Sequence, residues 1–392
     1  MSALTPLAYG KQWIDKDDIS AVVDALTSPF ITQGPAIESF EKAMAEFCGA
    51  RYAVALSSAT AALHLGALAL GLGPGDQLWT SPNTFVASAN CGLYCGATVD
   101  FVDIDPQTYN MSVNALRLKL EAAAITGTLP KVLVPVDFAG QSCEMAQIHE
   151  LSREYGFRIM EDASHAVGGE YLGARIGGGQ YADLTVFSFH PVKIMTTGEG
   201  GLLLTNNFEL YQKLLRLRSH GITRDPKNFR NVPHGSWYYE QVDLGFNYRI
   251  TDLQAALGES QLHKVPLFLE RRRELAARYT QLLAKLPLIL PFQREDTRSS
   301  WHLYVVRPNP AQTAVTRATL VADLRKAQIF AQVHYIPVHM QPYYADKGFE
   351  AGDFPESEYY YSGALSLPMY YGLADDEQDR VVAALSASLN RS

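Results

Sequence analysis

Short apolar runs alternate with helical patterns over the first half of the chain. The runs span residues 52–56, 77–80, 99–102, 132–136, 158–160, 185–189 and 202–205. Strands that alternate with helices usually pair in parallel, because each crossover helix returns the chain to the same edge of the sheet. The pattern therefore predicts an α/β fold with a mainly parallel, seven-stranded sheet that is covered by helices.

After residue 206 the regular alternation of strand and helix patterns ends. A helical pattern at 208–219 leads into a loop at 221–248 that is rich in Gly, Pro, Asn and aromatic residues, and loops of this length usually carry function. The pattern then predicts helices at 253–262, 317–327 and 375–389, and strands at 302–306 and 330–334. Because 392 residues exceed one simple core, we expect a large domain over residues 1–250 and a smaller α+β domain over residues 251–392.

The composition is typical of a soluble globular protein, with 47% hydrophobic residues, 19% charged residues and a net charge of −8. Apart from three arginines at 271–273 there is no basic cluster, which argues against nucleic acid as a partner. The most apolar run, residues 59–72, is too short to span a membrane, and residues 1–6 lack the pattern of a signal peptide. We therefore expect a cytoplasmic protein without membrane contact.

The cysteines give no indication of a metal site. Cys91 and Cys95 have the i, i+4 spacing of a helix, but no further Cys or His lies near them in the sequence. Free cysteines are commonly buried as small apolar residues. We therefore expect no bound metal.

The most informative segment joins a strand to a single lysine. The run Ser-Phe-His-Pro-Val-Lys at 188–193 follows an apolar strand, and a glycine-rich turn at 196–201 closes it. A buried ammonium group is costly unless its charge is used or removed. Lys193 at this position suits imine formation with an aldehyde, above all with pyridoxal phosphate (PLP). The alternative is a solvated lysine at a strand end.

A second segment, residues 157–165, places the acidic pair Glu161 and Asp162 at the end of a short strand. Open α/β sheets bind their ligands at this end of the strands. A carboxylate there can pair with the pyridinium nitrogen of PLP and keep the ring protonated. The alternative for Asp162 is a helix cap, because Asp before Ala-Ser also suits that position.

A third segment, residues 52–63, has the pattern of a strand, a turn and the start of a helix. Small residues at a helix start leave backbone N–H groups free for a phosphate, and Ser188 could add a hydroxyl. The candidates are Ser58, Ala59 and Thr60. The alternative is an ordinary helix cap.

A fourth segment, residues 245–252, places Asn247 and Arg249 ahead of a capped helix. An amide and a guanidinium so close together suit the recognition of an anion. The alternative is a surface loop with a helix cap at Thr251 or Asp252.

In this order and at these separations, the four segments resemble the sugar aminotransferases of the DegT/DnrJ/EryC1/StrS family, a branch of the fold type I PLP enzymes. The likeness runs from residues 31–35 to residues 365–368, and the stretches at 188–193, 237–240 and 331–335 resemble the transaminases of pseudaminic acid biosynthesis. The resemblance implies amination at C4 of a UDP-linked 2-acetamido-2,6-dideoxy-4-hexulose. It also implies L-glutamate as the donor, PLP as the cofactor and pyridoxamine phosphate as its aminated form.

Carried over by motif, the resemblance makes Lys193 the Schiff-base lysine and Asp162 the partner of the pyridine nitrogen. Phe85 takes the place of an aromatic that stacks on the cofactor ring, and His165 that of a Gln or His near its phenolic oxygen. The phosphate would be held by Ser58, Ala59, Thr60 and Ser188, and by Asn247 of the neighbouring subunit. The resemblance thus implies a homodimer with shared active sites. Phe85 could instead be a core residue, and the role of His190 stays open.

The resemblance also implies a sugar-binding group assembled from separate segments of the chain. Its members are Tyr9, Phe30, Ile31, Thr32, Arg249, His334, Tyr335, Ile336 and His339. Tyr and His offer flat faces with a polar tip, which suits a nucleotide sugar. The alternative is that the aromatic members pack the domain junction.

Two other functions are compatible with the sequence. One is another nucleotide-4-keto-6-deoxysugar aminotransferase, for a lipopolysaccharide or an antibiotic sugar, since the shared fold does not separate these substrates. The other is a regulator that binds PLP without turnover, although the chain carries no helix-turn-helix or basic segment. The related sugar dehydratases are disfavoured, because that branch has histidine in place of the lysine.

Overall fold

The structure, a computed structural model, describes residues 5–390. Residues 1–4, part of the segment used for the signal-peptide interpretation, lie outside the described residues. None of the helices between residues 5 and 390 is long and apolar enough to cross a membrane.

The described chain alternates strands and helices as the sequence predicts. Its helices are α1 (Lys16–Thr27), α2 (Pro35–Cys48), α3 (Ala59–Ala69), α4 (Ala87–Tyr94), α5 (Val113–Thr126), α6 (Met145–Tyr155), α7 (Phe208–Arg218), α8 (Asp252–Leu262), α9 (Val265–Leu283), α10 (Arg317–Lys326), α11 (Pro342–Ala345), α12 (Pro355–Gly363) and α13 (Asp375–Leu389). Its strands are β1 (Leu7–Ala8), β2 (Tyr52–Leu56), β3 (Gln77–Thr80), β4 (Thr98–Phe101), β5 (Val132–Val134), β6 (Arg158–Asp162), β7 (Glu170–Tyr171), β8 (Ala174–Arg175), β9 (Leu184–Ser188), β10 (Gly201–Thr205), β11 (Ile222–Thr223), β12 (Glu240–Gln241), β13 (Leu288–Ile289), β14 (Thr297–Arg298), β15 (Tyr304–Pro308), β16 (Ile329–Phe330) and β17 (Leu365–Leu367).

Seven strands form the central sheet in the order β2-β10-β9-β6-β5-β3-β4. The pairs among β9, β6, β5, β3 and β4 are parallel, whereas β10 is antiparallel to both of its neighbours. The mainly parallel seven-stranded sheet is therefore confirmed. The run at 132–136 is shorter than predicted because Pro135, which has no backbone N–H, interrupts the ladder after Val134.

The C-terminal part of the chain builds a second, smaller sheet from β13, β15 and β17. The predicted strand at 330–334 is wrong in its extent, because β16 ends at Phe330 and only Gln332 continues with an isolated bridge to Ser366. Instead, β16 pairs in parallel with β1 from the N-terminus. This pairing needs a partner more than 300 residues away, so no local pattern could indicate it.

The division at residue 250 stays a prediction, and several elements pack across it. Ala255 of α8 and Val265 and Phe268 of α9 lie in one apolar cluster with Phe40 of α2 and Phe187 of β9. A capping box between Thr251 and Gln254 starts α8 at the predicted position.

Asp252 then links the start of α8 to the start of α2. Its carboxylate accepts the backbone N–H groups of Gly34 at 2.8 Å and Ala36 at 3.1 Å. The start of α2, early in the chain, and the start of α8 are therefore joined by polar contacts as well as by apolar packing.

Gly201, the first residue of β10, lies directly beneath the start of α3. A Cβ atom at Gly201 would come within 2.4 Å of the carbonyl group of Ser58 and the nitrogen of Ala59. Only glycine allows the two backbone segments to approach so closely. This contact fixes where the start of α3 lies relative to the sheet edge.

We expect Gly201→Ala to lower the free energy of unfolding by about 1–3 kcal/mol, because the backbone of α3 must move away from the new methyl group. Urea unfolding followed by circular dichroism measures the change. Gly73→Ala is the matched control, because a Cβ there meets no atom within 4 Å. Its stability should stay within about 0.5 kcal/mol of the wild type. Equal losses in the two variants would contradict the role of the close approach.

Candidate active site

The C-terminal edge of the central sheet carries the candidate active site. Strand β6 ends at Asp162, and its parallel neighbour β9 ends at Ser188, which leads into the turn that holds Lys193. Parallel neighbours leave the sheet at the same edge, which is where open α/β sheets place their ligands. Strand β2 runs in the same direction as β9, so α3 also begins at this edge.

A cavity of about 420 Å³ opens at this edge, a volume that suits a small-molecule ligand. Most residues predicted to bind the cofactor, and part of the predicted sugar group, line it. They are Tyr9, Ser58, Ala59, Thr60, Phe85, Asp162, His165, Ser188, Lys193, His334 and Tyr335. His190, whose role the sequence left open, lines the same cavity.

Lys193 is the lysine of this cavity. Burial lowers the pKa of its amine to about 8, while the nearby charge of Asp162 acts in the opposite direction. A lysine in water has a pKa of about 10.4 and is almost fully protonated at neutral pH. Lys193 therefore holds a far larger neutral, nucleophilic fraction than an exposed lysine does.

The carboxylate of Asp162 is fixed by two hydroxyl-bearing residues that the sequence analysis missed. Ser88 donates its hydroxyl to Oδ2 at 2.6 Å, and the backbone N–H of Ser164 donates to Oδ1 at 3.1 Å. Thr84 in turn lies 2.8 Å from the Ser88 hydroxyl. The Ser164 contact could have been found, because Asp-x-Ser is typical of a side chain that bonds its own backbone two residues on. Ser88 carries no such local signal.

No helix begins at Asp162, so the alternative of a helix cap does not hold. Glu161, the other half of the acidic pair, lies on the opposite face of β6, because successive strand residues alternate. It accepts the hydroxyl of Thr185 at 2.8 Å, and burial raises its pKa to about 7. Burial also holds the pKa of the neighbouring Asp137 well above its usual range. Only Asp162 of the pair lines the cavity.

His165 and Tyr335 form a polar wall of the cavity. The N–H of Ala139 donates to Nδ1 of His165 at 3.3 Å, so the proton of the neutral ring lies on Nε2. That Nε2–H group donates to the hydroxyl oxygen of Tyr335 at 3.1 Å. The Tyr335 hydroxyl keeps its own proton to donate elsewhere. Burial, together with the charge of Lys193, holds the pKa of His165 well below its usual range, so the ring stays neutral.

His302 supports this wall from behind, and the sequence analysis missed it as well. Its ring centroid lies 4.4 Å from that of His165. Burial lowers its pKa well below the usual range, so it also stays neutral. The sequence placed His302 in a strand, and nothing in the local pattern indicates a contact with a residue so far away.

The start of α3 offers a site for a phosphate. Ser58 caps the helix by accepting the N–H of Ala61 at 3.1 Å. The other first-turn N–H groups have no partner within the helix, and the helix dipole favours an anion there. The hydroxyls of Thr60 and Ser188 line the same part of the cavity.

The expectation for His339 is not met. Its side chain is fully buried, its Nε2 lies 3.0 Å from Oε1 of Glu358, and its ring packs against Phe354. The loop after Tyr335 turns His339 towards α12 and away from the cavity.

Six other predicted residues lie outside the cavity of their own chain, namely Phe30, Ile31, Thr32, Asn247, Arg249 and Ile336. Phe30, Ile31 and Ile336 are about half exposed. Backbone bridges join Thr32 to Thr251, Asn247 to Ser219, and Arg249 to Leu56. For Asn247 this position agrees with an action in a neighbouring subunit, which stays a prediction.

The groups around the cavity fit PLP in kind. Lys193 offers an amine to the aldehyde, Asp162 a carboxylate to the ring nitrogen, and α3 its N–H groups to the phosphate. Phe85, 58% exposed, offers an aromatic face at the cavity wall, so it is not a core residue. This set at the carboxyl edge of a seven-stranded α/β sheet defines a fold type I PLP-dependent enzyme.

The sequence pattern of the DegT/DnrJ/EryC1/StrS aminotransferase family matches residues 12–386. The chain belongs to this family, whose members are PLP-dependent sugar aminotransferases. The resemblance drawn from the four segments is thereby confirmed.

Several relatives cover the whole chain. The spore coat polysaccharide biosynthesis protein SpsC of Bacillus subtilis is 42% identical over 97% of this chain and 96% of its own. Among solved structures, Helicobacter pylori PseC, an aminotransferase of pseudaminic acid biosynthesis, has a TM-score of 0.89 at 30% identity over 99% of this chain and 100% of its own. The PLP form of Spr1654 from Streptococcus pneumoniae, a candidate sugar aminotransferase, has a TM-score of 0.88 at 29% identity over 99% of both chains.

In the cofactor-free protein, we expect the labelling rate of Lys193 by a small amine reagent to rise with pH around a midpoint near 8, because burial lowers its pKa to about that value. Asp162→Asn should shift the midpoint lower, since it removes the charge that favours the protonated amine. Mass spectrometry of the Lys193 peptide gives the labelling rate. Labelling of the exposed Lys285 in the same digests is the control for how the reagent itself responds to pH. An unshifted or higher midpoint in Asp162→Asn would contradict this account.

Proposed function

We propose that the protein transfers the amino group of L-glutamate to C4 of UDP-2-acetamido-2,6-dideoxy-β-L-arabino-hex-4-ulose. The products are UDP-4-amino-4,6-dideoxy-N-acetyl-β-L-altrosamine and 2-oxoglutarate, for pseudaminic acid biosynthesis. The observation that supports aminotransferase activity is that Lys193 and Asp162 line the same cavity at the sheet edge. The likeness to PseC over the whole chain supports this particular sugar.

When bound, PLP supplies an electron sink for the charge that develops at the donor carbon. Lys193 Nζ takes the proton from the α-carbon of glutamate and returns a proton to C4 of the sugar in the second half-reaction. Its depressed pKa makes it a competent base near neutral pH. Asp162, held by Ser88 and Ser164, would face the ring nitrogen and favour its protonated form.

The sugar would enter on the side of the cavity that Tyr9 and His334 line. Tyr9 and His334 lie together there, with ring centroids 5.1 Å apart, and Tyr335 adds a hydroxyl that is free to donate. His334 is held in place by Ser366, whose hydroxyl lies 2.8 Å from Nδ1. Flat faces beside hydroxyl donors suit a sugar ring with an acetamido group.

The relation to SpsC favours a second candidate. SpsC is named for spore coat polysaccharide and has a higher identity to this chain than PseC has. The alternative is therefore amination of another nucleotide-linked 4-keto-6-deoxy sugar, with the same cofactor and donor.

A panel of 4-keto sugar nucleotides, incubated with the PLP-loaded protein and glutamate, separates these candidates. Mass spectrometry detects the 4-amino product, and NMR gives its configuration. The first proposal expects the highest kcat/KM for the β-L-arabino ketone. A clear preference for a different ketone would support the second candidate, and release of 2-oxoglutarate with no sugar of the panel aminated would count against both.

We propose that the active unit is a homodimer with shared sites. Large apolar side chains stand exposed on the single chain, among them Phe30, Ile31, Trp237 and Leu244. Exposed apolar groups of this size commonly mark an interface between proteins. The four free, buried cysteines also suit a reducing compartment, so we place the reaction in the cytoplasm.

Tyr9→Ala should leave the reaction of the PLP-loaded protein with glutamate unchanged and slow the reaction with the sugar by about ten-fold or more, the effect of losing roughly 1.4 kcal/mol of binding. Tyr9 lies on the sugar side and makes no hydrogen bond to Lys193 or Asp162. Stopped-flow absorbance of the cofactor follows each half-reaction separately. If both half-reactions slowed equally, Tyr9 would shape the cofactor pocket instead. Thr128→Ala, an exposed change far from the cavity, is the control.

Mixing two inactive variants tests the shared sites. Lys193→Ala should lower kcat by about 10²-fold or more, because it removes the base, and Asn247→Ala should weaken the hold on the cofactor phosphate. In a heterodimer, one site collects both changes and the other has neither, so activity should recover towards a quarter of the wild-type value when exchange is complete. No recovery after proven subunit exchange, with Asn247→Ala severe by itself, would count against shared sites.

A further inference from the structure

A second cavity, of about 390 Å³, lies on the surface of the C-terminal part of the chain. Strand β15, helix α12 and the start of α10 enclose it. Its lining is rich in arginine, hydroxyl and proline residues: Arg307, Pro308, Pro310, Thr313, Ala314, Val315, Thr316, Arg317, Tyr359, Ser362 and Gly363. No carboxylate is among these residues.

Arg307 is a buried cation without a counter-charge. The residue is only 8% exposed, its Nε is buried without a partner, and its side chain makes no hydrogen bond or ion pair with any residue between 5 and 390. Its guanidinium lies over two aromatic faces, 5.4 Å from the ring centroid of Tyr109 and 4.9 Å from that of Tyr359. Burying an unpaired charge is costly, so a guanidinium held in this way is poised for an anion.

Arg317 adds a second guanidinium to the same cavity. It donates to the carbonyl of Tyr361 and lies 4.3 Å from the centroid of that ring, and no carboxylate of the described chain pairs with it. Arg317 is also the first residue of α10, a ten-residue helix that Thr316 caps by accepting the N–H of Thr319 at 3.2 Å. The free N–H groups of that first turn therefore face the same region as the two arginines.

This cavity is separate from the candidate active site, with which it shares no lining residue. A layer of tyrosines lies between them. The ring of Tyr109, against which Arg307 stacks, lies 4.4 Å from that of Tyr360. The hydroxyl of Tyr360 donates at 2.7 Å to the carbonyl of His334, which lines the active-site cavity.

We propose that this cavity binds the diphosphate group of a small phosphorylated molecule. Arginine forks match phosphate oxygens in pairs, and two of them suit two phosphoryl groups. The hydroxyl of Thr313, which accepts the N–H of Val315 and keeps its own proton, and the first-turn amides of α10 complete the donors. The half-exposed ring of Tyr359 and the two prolines form a flat apolar wall, which suits a nucleoside diphosphate over inorganic pyrophosphate.

Titration calorimetry of the PLP-loaded protein with pyrophosphate, and separately with UDP, tests the proposal. Arg317→Gln should weaken binding roughly ten-fold or more, because a charge-assisted hydrogen bond is lost. Ser362→Asp, at an exposed position, keeps both arginines and sets a negative charge at the cavity mouth, so it should weaken binding as well. Arg325→Gln is the matched control, since Arg325 is exposed and lies at the far end of the same helix.

The same variants also distinguish binding in this cavity from binding in the active site. If the active site takes up either probe, Arg317→Gln and Ser362→Asp should weaken one class of binding sites and leave the other unchanged. UDP binding more tightly than pyrophosphate would identify a nucleotide as the ligand class, and equal affinities would identify the free diphosphate. Wild-type protein that binds neither probe, or variants that titrate like the wild type, would overturn the proposal.

Discussion

The burial of a lysine beside an aspartate at one edge of a parallel sheet is the constraint on which the rest of the structure depends. Burial alone makes the neutral amine of Lys193 easier to form, whereas the charge of Asp162 opposes that change. The pKa of Lys193, lowered to about 8, is the balance between the two effects. The two groups lie at the same edge of the sheet because β6 and β9 are parallel neighbours.

Other parts of the fold serve the same constraint. Asp162 stays oriented because Ser88 and Ser164 donate to its two oxygens, so its carboxylate cannot turn away from the cavity. Gly201 allows α3 to begin next to the lysine turn, where its free N–H groups can receive a phosphate. Lys193, Asp162 and the N–H groups of α3, each delivered by a different strand end, would thus hold the cofactor's aldehyde, ring nitrogen and phosphate.

The sequence was sufficient to predict those features that depend on residues close together in the chain. Apolar runs located all seven strands of the sheet, and the segments around Lys193 and Asp162 were found because both the chemistry and the strand ends lie within a few residues. Ser88 and His302 were missed because their contacts with Asp162 and His165 join residues that are far apart in the chain. His339 was misplaced for a related reason, since its partner Glu358 decides which way the loop turns.

Burial also affects the histidines in and behind the cavity wall, because it lowers their pKa values. His165, His302 and His334 all have pKa values below the ordinary range, first because of burial and then because of neighbouring positive charge, and that of His334 falls to about 3. They are therefore neutral hydrogen-bonding groups near pH 7, and Lys193 remains the base. Since the unfolded chain takes up protons on these rings near pH 6.5 and the folded chain does not, their burial costs stability as the pH falls from about 6.5 towards 3. These three histidines are thus uncharged in the same pH range in which the lysine gains its reactive form.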